Sequence, residues 1–263
     1  MERLGLKNQS ASVWVIVGAL AGVWEMVAWS DLFPREVFPT IEIILIKLFT
    51  SKEILVSIIF SLGQVILALG ISLAAVLMML MLCRVIPRAG GLFEAMYTLL
   101  SPIPSVAILP LVILWFGLSM KGVVFLMVHA TLWPLWTQLK MNQDRLAARF
   151  YRLERAYPVS LGARLYFIYL YGAMPDLLIG VQNAFNRGWR AIISIEMIFG
   201  LVGPRTGIGW YLYERRMMMD TISVYAGVMG IMICGILVDA VVFKRLRRGL
   251  NKRWEIETDA IRG

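Results

Sequence analysis

Three observations lead the sequence to predict an all-α membrane protein with about six transmembrane helices. Hydrophobic residues make up 59% of the 263-residue chain and charged residues only 16%, whereas a soluble domain carries about 25% charged residues. Several apolar runs reach the ~20 residues that a helix needs to cross the hydrocarbon core. The backbone polar groups of such runs must be satisfied within the segment, which favours helices. These features exclude a disordered, fibrous or ordinary cytosolic protein.

Six segments meet the length requirement in order along the chain. They are predicted at about residues 11–30, within 54–83, 92–118, 122–140, 174–200 and 222–243. The third contains Pro102, Pro104 and Pro110, and each proline is expected to break or kink a helix because it lacks a backbone donor. Residues 37–53 place apolar side chains on a helical period between charged ones, which predicts a separate interfacial helix outside the membrane.

The distribution of charge predicts the orientation of the chain. The net charge of +9 arises from 26 basic and 17 acidic residues. With six spans both termini lie on one side, and the connections on that side hold most of the basic residues. The positive-inside rule therefore predicts that both termini are cytoplasmic. We expect a single transmembrane domain over residues 1–263, in the cell (inner or plasma) membrane. Anionic lipid accounts for the basic residues without a nucleic-acid partner.

Several motifs occur in a fixed order along the chain. They are Trp24-Glu25, Phe38-Pro39-Thr40, SPIPSVAILPLVILWFGL at 101–118, GAMPDLLIGVQNAFNRGW at 172–189, Glu196-Met197 and GIGWYLYERRMMMDT at 207–221. In this combination the chain resembles the permease subunits of binding-protein-dependent ABC importers, in the branch for nitrate, taurine, aliphatic sulfonates and bicarbonate. The resemblance implies the type I (MetI-like) importer fold. It also implies a two-copy membrane domain that works with two ABC ATPase subunits and an extracytoplasmic substrate-binding protein.

The function implied by this resemblance is the membrane-spanning subunit of an ATP-driven importer, which forms the path of a small, anionic solute and is not an enzyme. The sequence contains no GxxxxGK[ST] phosphate loop, so ATP and Mg are expected on the partner ATPase, with no cofactor or metal in this chain. Two alternatives stay open. One is a proton-coupled secondary transporter that uses Glu25, His129 or Glu196, and the other is a degenerate partner subunit in a heterodimeric permease.

Residues 149–166 form the candidate segment for coupling to the ATPase. In the family this loop has the motif EAA, three residues, Gly, nine residues and I-x-L-P. This chain departs from that motif. With the glycine placed at Gly162, the EAA positions fall on Ala156, Tyr157 and Pro158. With Glu154 within one position of the expected glutamate, the glycine position falls on Pro158 or Val159. Arginines alternate here with aromatic and aliphatic residues, as in protein interfaces, although a helix on anionic lipid has the same pattern. The candidate coupling residues are Arg152, Glu154, Arg155, Tyr157, Pro158 and Gly162.

Polar residues of the fifth span, with one residue of the second, form the candidate lining of the translocation path. They are Gln64, Asn183, Asn186, Arg187, Arg190, Ser194 and Glu196. Four of them share one helical face, because they are spaced i, i+4, i+7 and i+11: Asn183, Arg187, Arg190 and Ser194. This face is too polar to face lipid. The planar guanidinium group matches oxyanions, which indicates a path for anions. The alternative is that the two arginines neutralise Glu25, Glu196 or Asp239 in buried ion pairs.

Other polar and small residues receive simpler interpretations. His129 is the only histidine, and a packed core residue is favoured over a proton relay. Gln64 provides either a hydrogen bond to the path or one to a neighbouring helix. Four glycines are expected to allow turns or close approach of helices, without a chemical role: Gly188, Gly200, Gly207 and Gly209.

Overall fold

The computed structural model describes residues 2–30, 32–86, 88–156, 174–200 and 206–250, and for 2–14, 84 and 146–156 it describes the backbone alone. These ranges are helical and contain no strand, which confirms the predicted all-α class. The helices are α1 (Glu2–Trp29), α2 (Ile41–Thr50), α3 (Lys52–Val85), α4 (Ala89–Leu100), α5 (Leu109–Phe116), α6 (Met120–Ala156), α7 (Met174–Phe199), α8 (Ile208–Met217) and α9 (Thr221–Leu237). A π-helical turn at Val238–Phe243 continues α9, and the helix then extends to Leu250.

The centre of the fold is formed by α3, α6 and α7, which pack against one another. Val65 of α3, Leu126 of α6 and Ile192 of α7 have no exposed surface. A small residue allows the close contact between α6 and α7, because a Cβ at Gly188 would lie 2.8 Å from the side chain of Thr131. The remaining helices surround this trio, with α8 against α7 and α9 against α2 and α8.

Three helical segments are long and apolar enough to cross a membrane, namely Lys52–Cys83, Met120–Arg145 and Thr221–Leu250. Helices α4 and α5 meet the same criterion only as a pair, bent by 85°. The described apolar part of α1, Val15–Trp29, is shorter. Helix α7 has 26 residues, which is long enough, but its polar stripe lowers its hydropathy. The predicted number of six spans therefore stays a prediction.

The break between α4 and α5 lies at the predicted proline cluster. Pro102 and Pro104 occupy the break, where neither can donate a helical hydrogen bond. Pro110, in contrast, lies in the first turn of α5, where a missing donor is tolerated. Gly117 ends α5 with a φ of 65°, a conformation that favours glycine. The structure confirms the predicted break in the third span.

Helix α6 is longer than the predicted fourth span, because it continues through the first part of the expected connecting loop. Residues 144–156 (DRLAARFYRLERA) are mostly strong helix formers and include neither Gly nor Pro. The 37 residues of α6 correspond to a length of about 55 Å. Since the hydrocarbon core is ~30 Å thick, α6 extends well beyond one face of the membrane.

The two N-terminal motifs meet at the corner between α1 and α2. The indole nitrogen of Trp24 donates a hydrogen bond to the carbonyl of Pro39 at 3.0 Å, and its ring stacks on Phe38. The carboxylate of Glu25 accepts a hydrogen bond from the backbone N–H of Ile41, the first residue of α2, at 2.6 Å. A negative charge at a helix N-terminus interacts favourably with the helix dipole. The helix predicted within 37–53 is thus present as α2, and it is fixed by α1.

The turn between α8 and α9 is a Schellman motif, in which the N–H of Asp220 bonds to the carbonyl of Arg215 at 2.9 Å. Met219 occupies the left-handed position of this motif with a φ of 58°. Asp220 then caps α9 by accepting a hydrogen bond from the N–H of Ser223. Burial alone would raise the pKa of Asp220, but its hydrogen bonds with Ser223 and the nearby cationic side chains lower it below the ordinary value.

Replacing Met219 with glycine is expected to stabilise the protein by about 1 kcal/mol, because glycine adopts the left-handed conformation without a steric cost. The thermal unfolding midpoint of the purified protein in detergent would measure this change. Met218→Gly is the matched control, since Met218 has a φ of −82° and gains nothing from glycine. An equal shift of the midpoint in both variants would contradict this explanation.

Candidate functional site

Helix α7 has a packed face and a polar face. The residues of the packed face are buried against α3, α6 and α8 and include Ala184, Gly188, Ile192, Ile195 and Glu196. The opposite face carries Asn183, Arg187, Arg190 and Ser194, all exposed, and the half-buried Asn186. The helical spacing predicted this common face. No other described element of the chain covers the four exposed side chains.

Two neighbouring cavities, of about 460 and 430 Å³, lie against the polar face of α7. Both are bounded by α6 and α7; the break between α4 and α5 completes the larger cavity, and the end of α4 completes the smaller one. Asn183 and Asn186 line the smaller one. The described residues that line the two cavities include two arginines and no Asp or Glu, so the charge of the lining is positive. Residues shared by the two cavities are Ser101, Trp133, Pro134, Arg187 and Arg190.

The guanidinium groups of Arg187 and Arg190 form no hydrogen bond or ion pair with another residue of the described ranges. The acids that the sequence offered as partners are engaged elsewhere. Glu25 bonds to the N-terminus of α2, Glu196 bonds within the core, and Asp239 accepts a hydrogen bond from Gln182. The ion-pair alternative is therefore not what this structure contains, and the two guanidinium groups line the cavities.

A buried carboxylate joins α3, α7 and α8. Glu196 is only 4% exposed, and its two carboxylate oxygens lie 2.7 and 2.8 Å from the hydroxyl oxygen of Ser61. One of them also accepts a hydrogen bond from the N–H of Gly209 at 2.9 Å. The hydroxyl oxygen of Ser61 accepts a hydrogen bond from the N–H of Ile208 at 2.9 Å. Together these two side chains cap the first turn of α8, which has no capping side chain of its own.

Glycine is required where α8 approaches this carboxylate. A Cβ at Gly207 would lie 1.9 Å from a carboxylate oxygen of Glu196, and a Cβ at Gly209 would lie 2.3 Å from the backbone carbonyl oxygen of Ile193. Gly200 follows α7 with a φ of 76°, which favours glycine. The expected turn and close approaches are confirmed. The physical reason is the carboxylate of Glu196 for Gly207 and the backbone of α7 for Gly209.

Gln64 and Glu196, which the sequence assigns to the path, lie in the packed core and do not line either cavity. Gln64 is 8% exposed and donates a hydrogen bond to Glu196 at 3.4 Å, which corresponds to the neighbouring-helix interpretation of this residue. His129 lines the larger cavity, with its ring edge-on to Trp133 at 6.4 Å between centroids. Within the described ranges no group of His, Cys, Asp or Glu is arranged to hold a metal ion.

The predicted coupling residues fall at the edge of the described chain. Arg152, Glu154 and Arg155 lie in the last turns of α6, where only the backbone is described. Tyr157, Pro158 and Gly162 lie outside the described residues. The assignment of residues 149–166 to ATPase coupling therefore stays a prediction.

Sequence reasoning missed Ser61 and the aromatic wall of the cavities. Ser61 lies three residues before Gln64 on α3, and this spacing alone places both polar side chains on one face of the helix. Tyr97 of α4 and Trp133 of α6 pack together in the wall of the smaller cavity, with centroids 6.2 Å apart. No sequence pattern connects these two residues, because only the tertiary fold brings α4 and α6 together.

Comparison with known proteins identifies several similar permeases. The SsuC permease for aliphatic sulfonates of Escherichia coli is 28% identical over 62% of this chain and 60% of its own length. SsuC of Bacillus subtilis is 22% identical over 96% of this chain and 87% of its own length. The taurine permease TauC of Escherichia coli is 25% identical over 58% of this chain and 54% of its own length. No family model matches the chain.

Further relatives are named as bicarbonate and nitrate permeases. These matches support a permease of the nitrate, taurine, sulfonate and bicarbonate branch of ABC importers. The resemblance inferred from the motifs is thus confirmed, and the permease relatives are named as transport proteins and not as enzymes. Two of the three matches described above span only 60% and 54% of the relative, and the match that spans 96% of this chain covers 87% of the relative.

Replacing Gly209 with alanine is expected to destabilise the protein by about 2 kcal/mol, because the added methyl group meets a backbone carbonyl that cannot rotate away. The unfolding midpoint in detergent and the yield of folded protein after extraction would measure the effect. Gly63→Ala on α3 is the matched control, since a Cβ there meets nothing within 4 Å, and it should leave stability unchanged or slightly higher. Equal stability of the two variants would show that α8 does not approach α7 this closely.

Proposed function

We propose that this chain is the membrane-spanning subunit of an ATP-driven importer and forms the translocation path for a small, anionic solute. The observation that carries the proposal is the pair of cavities lined by Arg187 and Arg190 without a described acidic residue. The names of the relatives, for aliphatic sulfonates, taurine, bicarbonate and nitrate, support the same class of solute.

The chemistry of the polar face suits passage of an anion better than its retention. The fork of N–H donors on a guanidinium group matches the paired oxygens of an oxyanion. The amides of Asn183 and Asn186 add neutral hydrogen-bond donors on the same face. Because Arg187 and Arg190 are exposed in this chain, a solute meets them along an open surface rather than inside a closed pocket. Ser194 extends the face by another helical turn.

The exposed polar face of α7 also supports a second subunit. A stripe with two arginines is costly to place against lipid, because charges within the hydrocarbon core are unfavourable. A second copy of the permease, or a paralogue, would place its own polar face opposite and enclose the path. The contacts of Gln64 and Glu196 give them a supporting position behind that path, where they hold α7 in its orientation.

Helix α6 provides a direct connection from the cavities to the proposed coupling segment. Trp133 and Pro134 line both cavities, and the same helix continues to Ala156, within residues 149–166. A continuous helix transmits a displacement along its axis, so closure of the ATPase dimer would reach the cavity walls. In this scheme the ABC ATPase subunits bind ATP and Mg, and an extracytoplasmic substrate-binding protein delivers the solute. The chain lies in the cell (inner or plasma) membrane with both termini cytoplasmic.

Replacing Arg187 or Arg190 with glutamine is expected to lower uptake of an oxyanion at least about tenfold. A hydrogen bond from a charged donor is worth about 1.5–3 kcal/mol, and about 1.4 kcal/mol corresponds to a factor of ten. Uptake of labelled nitrate or taurine into proteoliposomes that contain the complete transport complex would measure this loss. Assembly should persist, since neither arginine has a partner among the described residues.

Lys121→Gln is the control for these variants, because it removes an exposed positive charge from α6 outside the two cavities. This variant should transport at the wild-type rate. If the arginine variants also transport normally, the proposed path is wrong. If they instead prevent assembly of the complex, the two arginines have a structural role.

Reversing the charges of Arg152 and Arg155 to glutamate is expected to abolish the stimulation of ATPase activity by the loaded binding protein. The reason is that charged residues at an interface fix its orientation, and reversed charges repel the original partner. Arg145→Glu, on the same helix but before residue 149, is the control and should retain stimulation. Unaltered coupling in the double variant would refute the role of residues 149–166. Uptake driven by a proton gradient in liposomes without the ATPase would favour the secondary transporter instead.

A further inference from the structure

An apolar crevice of about 570 Å³ opens at one end of the molecule, between α3, α7 and α9. Its described lining consists entirely of apolar residues, among them Leu62 and Ile66 of α3, Leu178 and Val181 of α7, and Val242 and Leu246 of α9. The polar cavities lie against the opposite face of α7. A concave apolar groove of this kind differs from the convex apolar surface that an ordinary membrane helix presents to lipid.

Positive charge lies directly beside the mouth of this crevice. The crevice adjoins two long apolar helices, Lys52–Cys83 and Thr221–Leu250. The second has 30 residues, which corresponds to about 45 Å of helix. The hydrocarbon core is ~30 Å thick, so the last turns of α9 reach the depth of lipid headgroups. Arg245 and Arg247 flank Leu246 at about 100° on either side. Arg247 donates a hydrogen bond to Gln182, whereas Arg245 is exposed and has no hydrogen bond or ion pair with another described residue.

We infer that this crevice binds one anionic phospholipid, with an acyl chain between α3, α7 and α9 and the phosphate group at Arg245. An apolar groove beside an unpaired guanidinium group matches a molecule that joins a hydrocarbon chain to a phosphate. An unbranched acyl chain follows such a groove along the membrane normal. The π-helical turn at Val238–Phe243 lies in the wall of the crevice, and such turns often occur at functional sites.

The bound lipid would support the orientation of α7. Leu178 and Val181 form one wall of the crevice, while Asn183 and Arg187 occupy the other face of the same helix. An acyl chain in the crevice fills the space between α7 and α9 that the described residues leave open. Binding of the lipid is independent of the proposed transport function, since it requires neither a solute nor an ATPase.

The test uses the full chain in its transport complex, in nanodiscs of phosphatidylcholine with or without phosphatidylglycerol. Native mass spectrometry measures retained lipid, and thermal unfolding measures stability. Val242→Trp fills the crevice without changing charge, and Val241→Trp is its control, because Val241 is equally exposed but does not line the crevice. Arg245→Gln removes the charge at the mouth. Lys244→Gln removes a charge that lies about 160° from Leu246 around the helix and so points away from the crevice.

The wild-type protein should retain one phosphatidylglycerol per chain and unfold at a higher temperature when this lipid is present. Arg245→Gln should bind it about fivefold more weakly, and Val242→Trp should not retain it, while both controls behave as the wild type. Equal weakening by Arg245→Gln and Lys244→Gln would overturn the site in favour of diffuse attraction of anionic lipid. If the wild type retains no lipid and Val242→Trp destabilises it equally in both nanodiscs, a protein segment or a second copy fills the crevice instead.

Discussion

The orientation of α7 depends on the buried carboxylate of Glu196. A carboxylate in an apolar interior is tolerated only when hydrogen-bond donors surround it, and here the donors are the hydroxyl of Ser61 and the first turn of α8. Glu196 therefore has to face the core. At about 100° per residue, Arg187 lies about 180° from Glu196 around the helix. Fixing the acid inward thus directs the arginines outward, towards the cavities.

This constraint also explains why Gly207, the N-cap residue of α8, has no substitute. The helix N-terminus approaches the carboxylate end-on, and its own N-cap residue, Gly207, has no side chain to bond the backbone. The capping group comes from α3 and α7 instead, so three helices share one set of hydrogen bonds. Shared buried hydrogen bonds are costly to break singly, because the groups left behind lose their partners. We therefore expect the parts of α3, α7 and α8 that share these hydrogen bonds to move together.

The sequence predicted those features that depend on local order. Helical spacing placed Asn183, Arg187 and Arg190 on one face, and the prolines marked the break between α4 and α5. The sequence could not predict the partners of Glu196, because Ser61 lies 135 positions away in the chain. The polar residues on one face of α7 lower its hydropathy, so this helix does not meet the hydropathy criterion for a membrane span. The same polar residues are the ones that indicate a function. The full length of α6 was missed because its last turns are as charged as a loop.

The separation of charges on α7 has a further electrical consequence. Glu196 and Arg190 are about 9 Å apart along the helix axis and about 120° apart around it. Had they formed an ion pair in the cavity wall, a passing anion would have competed with a permanent carboxylate for the same guanidinium group. Donors that hold the carboxylate in the core leave the arginines without an acidic partner among the described residues, so their positive potential reaches the cavities without being neutralised by Glu196. An acid on the packed face is therefore compatible with a positively charged cavity lining on the other face.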